Sequence, residues 1–378
     1  MLLLGHGRFW MGDQRLSGDP PDPARWPAVA AVIPARNEAD LVAETAAAVL
    51  AQDYPGPLRV FLVDDESDDL TGEVAAAAAR SLGAASRFEL VRTKPRPEGW
   101  VGKVWALHTG VSHAAQAWPE AELFWFSDAD VLPAPRTLRR LVAKLEAERL
   151  QLASLMVKLH CENGPERLLI PAFVYFFQKL YPFPRVNDPR APTAAAAGGC
   201  VVVRAAALSR AGGVESIRGE VIDDCALGRR VKGVGPIWLG LGVEERSLRP
   251  YAGVRAVWDM VARSAYTQLG HSPLLLLGTL AGLLLLYAAP PLLALLAPLH
   301  GSGVAAGLGL AAWIAMGATF LPTLALYGRS PWLAFALPIA GVLYAGMTLD
   351  SARRHRRGEG ARWKGRPGAG AAGLGPQR

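Results

Sequence analysis

The segment FSDAD at residues 126–130 sets Asp128 and Asp130 one residue apart, directly behind the aromatic run at 124–126. Side-chain direction repeats every two residues in extended chain, so both carboxylates face one way and repel each other. Two hard oxygen ligands held like this suit Mg²⁺ or Mn²⁺, which keep open positions for diphosphate oxygens. For a D-x-D standing alone, a solvated turn is the bland alternative. Other segments add to the chemistry. IPARNE (33–38) carries Pro34, Arg36 and Glu38, and VDDESDD (63–69) carries Asp64 and Asp65. Carboxylates there can accept hydrogen bonds from a base N–H or ribose hydroxyls, or simply complement a helix dipole. GWVGKVWAL places Lys103 ahead of a helix, as a phosphate cation or a solvated surface residue. IDDCALGRRVK puts Asp223 and Asp224 before a helix that carries Arg229, Arg230 and Lys232. An acid there can take a proton from an acceptor hydroxyl, or serve only as a helix-start acid. Arg263, in WDMVARSAYTQL, can reach a diphosphate or a lipid headgroup.

These residues need elements to hold them. AVAAVIPA, LRVFLVDD, SRFELVRT and ELFWFSDAD read as strands, separated by helical patterns at 40–52, 70–82 and 103–118. Such alternation implies an α/β fold, a mostly parallel sheet with helices on both faces. Ligands in such sheets bind beyond the carboxyl ends of the strands, where PARNE, DDESDD and SDAD fall. GGCVVVRAAAL (198–208) reads as a small-residue turn leading into a strand. No dinucleotide fingerprint or P-loop stands at a strand-to-helix turn, so bound phosphates would be held by a metal and side chains.

The charge distribution divides the chain of 378 residues. Between residues 264 and 349 the only Lys, Arg, Asp or Glu is Arg329. Apolar stretches at 273–297, 304–327 and 331–349 approach or exceed the ~20 residues that cross a bilayer. Much of the net charge of +7 sits in the tail SARRHRRGEGARWKGRPG. No recognition motif accompanies that basic run, so a membrane flank is expected and a nucleic-acid partner is not. Three crossings would put this tail opposite the sheet domain, against the positive-inside rule, so either one stretch is re-entrant, with Pro290 and Pro291 pointing to the first, or the flank rule yields. RLLIPAFVYFFQKLYPF (167–183) is too short to span and reads as an interfacial or a core helix. Cys161, Cys200 and Cys225 lack the spacing of a disulfide framework or a zinc site. The expected division is an N-terminal segment and linker (1–27, a cut-short anchor), a catalytic domain (28–250), an interfacial stretch (251–272), membrane helices (273–349) and a basic, disordered tail (350–378).

The order and spacing of IPARNE, VDDESDD, GK, SDAD and IDDCALGRRVK resemble the family-2 inverting glycosyltransferases of GT-A fold. GW.GK.WA, FSDADV, IDDCALG and ARSAYTQLG resemble most the hopene-associated glycosyltransferases of bacterial hopanoid gene clusters. The resemblance implies nucleotide-sugar binding by Pro34, Arg36, Glu38, Asp64 and Asp65, and metal–diphosphate contact by Asp128 and Asp130. It implies Asp224 as general base beside Asp223, with Lys103 and Arg263 as candidate diphosphate cations. Where processive synthases carry Q-x-x-R-W, this chain has MVARS, which keeps Arg263 alone and speaks against processive synthesis. The expected protein is a multi-pass enzyme of the bacterial cytoplasmic membrane, its catalytic domain facing the cytoplasm. It would need Mg²⁺ or Mn²⁺ and move a sugar from a nucleotide-diphosphate donor to a hopanoid-related lipid. A ceramide or polyprenyl phosphate acceptor is the nearest alternative, and a non-catalytic nucleotide-binding membrane scaffold a more distant one.

Overall fold

VAAVIPA forms the central strand, β1 (Val29–Ala35), and every residue in it is buried. A strand covered on both faces needs no polar alternation, which is why this one reads as an unbroken apolar run. Around it the computed structural model, which describes residues 5–16, 18–359, 362–363 and 366–367, builds two compact units. The sheet unit comprises the described residues of 14–159, 183–249 and 362–378; the helical unit comprises those of 1–13, 160–182 and 250–361.

In the sheet unit β1 is followed by β2 (Leu58–Asp64), β3 (Phe88–Arg92), β4 (Leu123–Ser127), β5 (Val131–Leu132), β6 (Leu152–Lys158), β7 (Cys200–Arg204) and β8 (Ile237–Ser247). They order as β3-β2-β1-β4-β7-β6-β8-β5. The first four are parallel, as the strand–helix alternation requires; β7 runs antiparallel between β4 and β6, and β5 is antiparallel to β8. The inserted β7 matters for position. Its register pairs Ser127 with Cys200, so the GG turn before β7 meets the SDAD end of β4. Pairing of β1 with β4 stops at Val32, and Pro34 lies where the two strands have parted.

The helix Gly102–Ala117 is seated tightly on this sheet. A Cβ on Gly110 would stand 2.5 Å from Val32 Cγ1 and 2.6 Å from Val63 Cγ2. Glycine therefore permits the close approach that brings the helix start, with Lys103, to the strand ends.

The helical unit contains the helix Gly164–Leu180, opened by a reciprocal cap in which Asn163 Oδ1 accepts from Glu166 N (3.0 Å) and Glu166 Oε2 accepts from Asn163 N (3.1 Å). Glu166 also accepts from Tyr251 N at 2.6 Å, and these backbone donors hold its carboxyl down at about 2 despite burial. Helices Gly253–Ala262 and Ala265–Gln268 follow. Three further helices are long and apolar enough to cross a membrane: Pro273–Leu295, Gly303–Leu326 and Pro331–Arg356, of 23, 24 and 26 residues. The first contains a π-turn at Leu284–Ala288, just before Pro290 and Pro291, whose missing N–H groups cannot continue an α ladder. The last runs on to Arg356, so the beginning of the basic tail is helical, contrary to the expectation of disorder from residue 350. Arg354 explains the extension, bridging Asp350 (2.8 Å) and Asp259 (2.6 Å). Residues 360–361, 364–365 and 368–378 of the tail lie outside the described residues.

Candidate active site

Beyond the carboxyl ends of β1 and β4, Pro34, Lys103, Phe126, Asp128, Asp223 and Asp224 line a cleft of about 380 Å³, part of it open to solvent. Lys103 Nζ lies 2.7 Å from Asp128 Oδ1 and 3.8 Å from Asp223 Oδ2. Burial would lower the Lys103 pKa, but the neighbouring carboxylates of Asp128 and Asp223 offset this and raise it above the ordinary lysine value. Asp223 and Asp224 open the helix Asp223–Lys232. Asp224 is fixed by two backbone donors, Gly198 N to Oδ2 (3.0 Å) and Cys225 N to Oδ1 (2.7 Å). Burial, then the charge of Asp223, pushes its carboxyl up to about 6 although Lys103 and these donors oppose the shift. Gly198 keeps this corner of the cleft open: a Cβ there would sit 3.1 Å from Lys103 Nζ and 3.4 Å from Asp224 Cβ and would press on the ammonium.

Asp130 does not share this cation. Arg249, at the end of β8, donates from Nε to Asp130 Oδ2 at 2.9 Å and from Nη2 to both oxygens of the buried Glu38, the longer bond being 2.5 Å. Ser247 Oγ reaches Asp130 Oδ2 at 3.2 Å. The expected metal pair is therefore split, with Asp128 facing Lys103 and Asp130 facing Arg249. Like charges one residue apart are separated by giving each its own counter-ion. Sequence reasoning passed over Arg249 because SLRPY carries no motif, and its partner Glu38 lies 211 positions away.

The acids after β2 also part company. Asp64 Oδ1 accepts from Ser67 N (3.0 Å), and the fully buried Asp65 accepts from Thr93 Oγ1 (3.0 Å). Arg36 is spent on the carbonyls of Asp65 and Glu66, the latter at 2.9 Å, and its Nε is buried without a partner. The turns after β1 and β2 are laced together. Asn37 N donates to Ser67 Oγ (3.1 Å), Glu38 N to Thr71 Oγ1 (2.8 Å) and Ala39 N to Asp69 Oδ2 (3.1 Å). Asn37, Glu66 and Leu70 hold left-handed φ of 50°, 54° and 64°, a strain that concentrates where strands hand over to a binding edge. Arg263 belongs to the helical unit, at the end of the helix Gly253–Ala262.

Among the described residues no group of three or more His, Cys, Asp or Glu is arranged to hold a metal ion. The charge balance of the cleft nevertheless suits one. Asp128, Asp223 and Asp224 surround a single ammonium, and burial together with mutual repulsion raises the pKa of both Asp128 and Asp224. The site is short of positive charge, its donors are hard oxygens, and a divalent cation fits both conditions.

Residues 30–212 match the family described as Glycosyl transferase family 2. An N-acetylglucosaminyltransferase of Mesorhizobium japonicum is 29% identical over 154 residues, 40% of this chain and 33% of that protein. The chain thus spans a third of the length of this curated relative. Among solved structures, the mannosyltransferase PcManGT of Pyrobaculum calidifontis, in complex with GDP-Man and Mn²⁺, superposes with a TM-score of 0.57 over 94% of each chain at 23% identity. That likeness is one of fold. Residues 30–212 of this chain match the family-2 glycosyltransferase model, and the fold around them is GT-A-like.

Proposed function

We propose that the protein is a membrane-bound, inverting glycosyltransferase that moves a sugar from a nucleoside-diphosphate donor to a hydroxyl of a hopanoid-related lipid. The carrying observation is the cleft at the strand ends, where Asp224 stands with a pKa of about 6 beside Lys103 and Asp128. A carboxylate at about 6 is ionised at neutral pH yet basic enough to share a proton, which a general base requires. Held by Gly198 N and Cys225 N, Asp224 takes the proton of the acceptor hydroxyl as that oxygen bonds to the anomeric carbon. The bond from that carbon to the diphosphate oxygen breaks in the same step, so the anomeric centre inverts. Lys103 offsets negative charge growing on the leaving diphosphate. A divalent cation, Mg²⁺ or Mn²⁺, held by Asp128 would supply further neutralisation there, worth several kcal/mol. Asp64 and Asp65 form the polar edge for the nucleoside, with Arg36 fixing the turn that follows them and Glu38 fixing Arg249.

The lipid acceptor is supported by three apolar helices on the same chain and by the ARSAYTQLG and IDDCALG motifs. The test incubates the detergent-purified full chain with labelled UDP- and GDP-sugars, Mg²⁺ or Mn²⁺, and bacterial lipid extract. Label should enter the organic phase only with metal present, and mass spectrometry should find one hexose added per lipid. Absence of transfer from every donor, together with no metal-assisted donor binding by calorimetry, refutes the proposal.

A further inference from the structure

The first and last apolar helices run antiparallel and in register. Gly341 lies against Tyr287, close enough that a Cβ would come within 2.6 Å of Tyr287 Cβ. Eleven residues further along one helix and eleven back along the other, Ala352 and Leu276 share an apolar cluster with Tyr266. At the end of this pairing His355 stacks on His271 with centroids 4.1 Å apart, and Ser351 Oγ accepts from Tyr266 N at 3.0 Å. Trp258 Nε1 donates to Asp350 Oδ2 at 2.8 Å. The residues that precede the first apolar helix and those that end the last one are therefore neighbours. A path whose two ends meet on one face crosses an even number of times.

The middle of the path follows from length. Leu337, at the start of the last helix, and Leu295, at the end of the first, both lie at the far end of the pair. Everything between them starts and finishes there. The helix Gly303–Leu326 leaves along the first helix, with Gly309 packed on Pro290 and Leu293. Its return is made by residues 327–336, six of which form the 3₁₀ helix Pro331–Ala336. At ~2 Å per 3₁₀ residue and at most ~3.5 Å for each other step, that return reaches about 30 Å, as far as the ~30 Å rise of the helix Leu337–Arg356, so it can bring the chain back to the far end from any depth the middle helix reaches. The 3₁₀ segment leans on the middle helix partway along: Trp313 Nε1 donates to Phe335 O at 3.2 Å, and Gly317 faces Ala334.

Resting on the reading of the chain as membrane-bound, we infer that the apolar region begins and ends on one face of the bilayer and so crosses it an even number of times, Pro273–Leu295 making the first crossing and Leu337–Arg356 the last. Gly303–Leu326 and Pro331–Ala336 together leave the far face and return to it, with Arg329 Nη2 3.1 Å from Glu162 Oε1 at the turn between them. The occupant of the exposed apolar surface (Leu274, Leu285, Leu299, Leu308 and Trp332) is the lipid bilayer. Charge supports it: Arg353, Arg354, Arg356 and Arg357 then share the near face with Arg255 and Arg263, and the far loops around Ser302 carry no Lys or Arg. The conflict with the positive-inside rule disappears, because the basic tail then lies on the face from which the first apolar helix departs.

Single exposed cysteines test this in the full chain, whose own Cys161, Cys200 and Cys225 are buried. Arg255→Cys, Ser302→Cys and Arg357→Cys are treated with a membrane-impermeant maleimide in intact cells and in inverted vesicles. Arg255→Cys and Arg357→Cys should label from one face and Ser302→Cys from the other, each at least tenfold faster than from its opposite face. Arg357→Cys labelling from the Ser302→Cys face, with the protein retained in carbonate-washed membranes, overturns the even-crossing topology alone. Release of the unmodified chain into the carbonate supernatant overturns the membrane reading and this inference with it.

Discussion

At the residue scale, the proposed mechanism gives two carboxylates of one cleft different tasks. Asp128 meets Lys103 and in that proposal offers an oxygen to the cation, whereas Asp224 is pinned by backbone donors, its carboxyl pushed up to about 6. Asp128→Ala and Asp224→Asn should each lower transfer by at least 10²-fold, the scale expected of charge neutralisation and general-base catalysis. Only Asp128→Ala should weaken Mg²⁺-dependent donor binding by calorimetry; equal donor affinities in the two variants would overturn the assignment of roles. The same shift sets a pH dependence. Below about pH 6 Asp224 gains a proton and ceases to be a base, so kcat/KM should fall roughly tenfold per pH unit on the acid side. A profile flat from pH 8 to pH 5 would remove Asp224 from that role.

At the scale of elements, Arg249 ties the turn after β1 to the turn after β4 from the end of β8. Removing it leaves Glu38 buried without this cation, a cost of about 1–3 kcal/mol once partial exposure of the pair is discounted. Arg249→Met should lower the Tm of the detergent-purified chain by several degrees, and the added change Glu38→Gln should recover part of that loss. Strict additivity of the two changes would show that the ion pair does not join these turns. The strands were legible because a buried parallel strand is a local apolar run bounded by Pro, Gly and acids. β7 reads as a strand too, yet nothing local distinguishes parallel from antiparallel placement; its direction follows from where the chain returns after residues 183–199.

At the scale of the molecule, the helical unit is assembled from three separated pieces of chain. The helix Gly164–Leu180 presents aromatics that the C-terminal helices cover: Tyr175 meets Phe320, and Phe176 meets both Tyr287 and Tyr344. Tyr344 Oη donates to Leu169 O at 3.0 Å, and Tyr175 Oη lies 2.8 Å from Thr319 Oγ1. That helix, read from sequence as interfacial or core, is a core element of its own unit. Truncation after Gly270 should strip this cover and send the chain to the pellet on ultracentrifugation without detergent, even with every apolar span removed. A soluble, monodisperse truncation would show that the aromatic face does not need the C-terminal helices.

Periodicity, apolar length and the acid clusters are short-range properties, so the α/β alternation, the three long apolar stretches and the cleft residues Lys103, Asp128, Asp223 and Asp224 were all readable from sequence alone. Which charge neutralises which was not, because an ion pair is decided by distance in space. Asp128 and Asp130 are separated by cations brought from Lys103 and Arg249, and no local spacing encodes that. The stacking of His271 on His355, on which the proposed count of crossings rests, likewise exists only once the helices have packed.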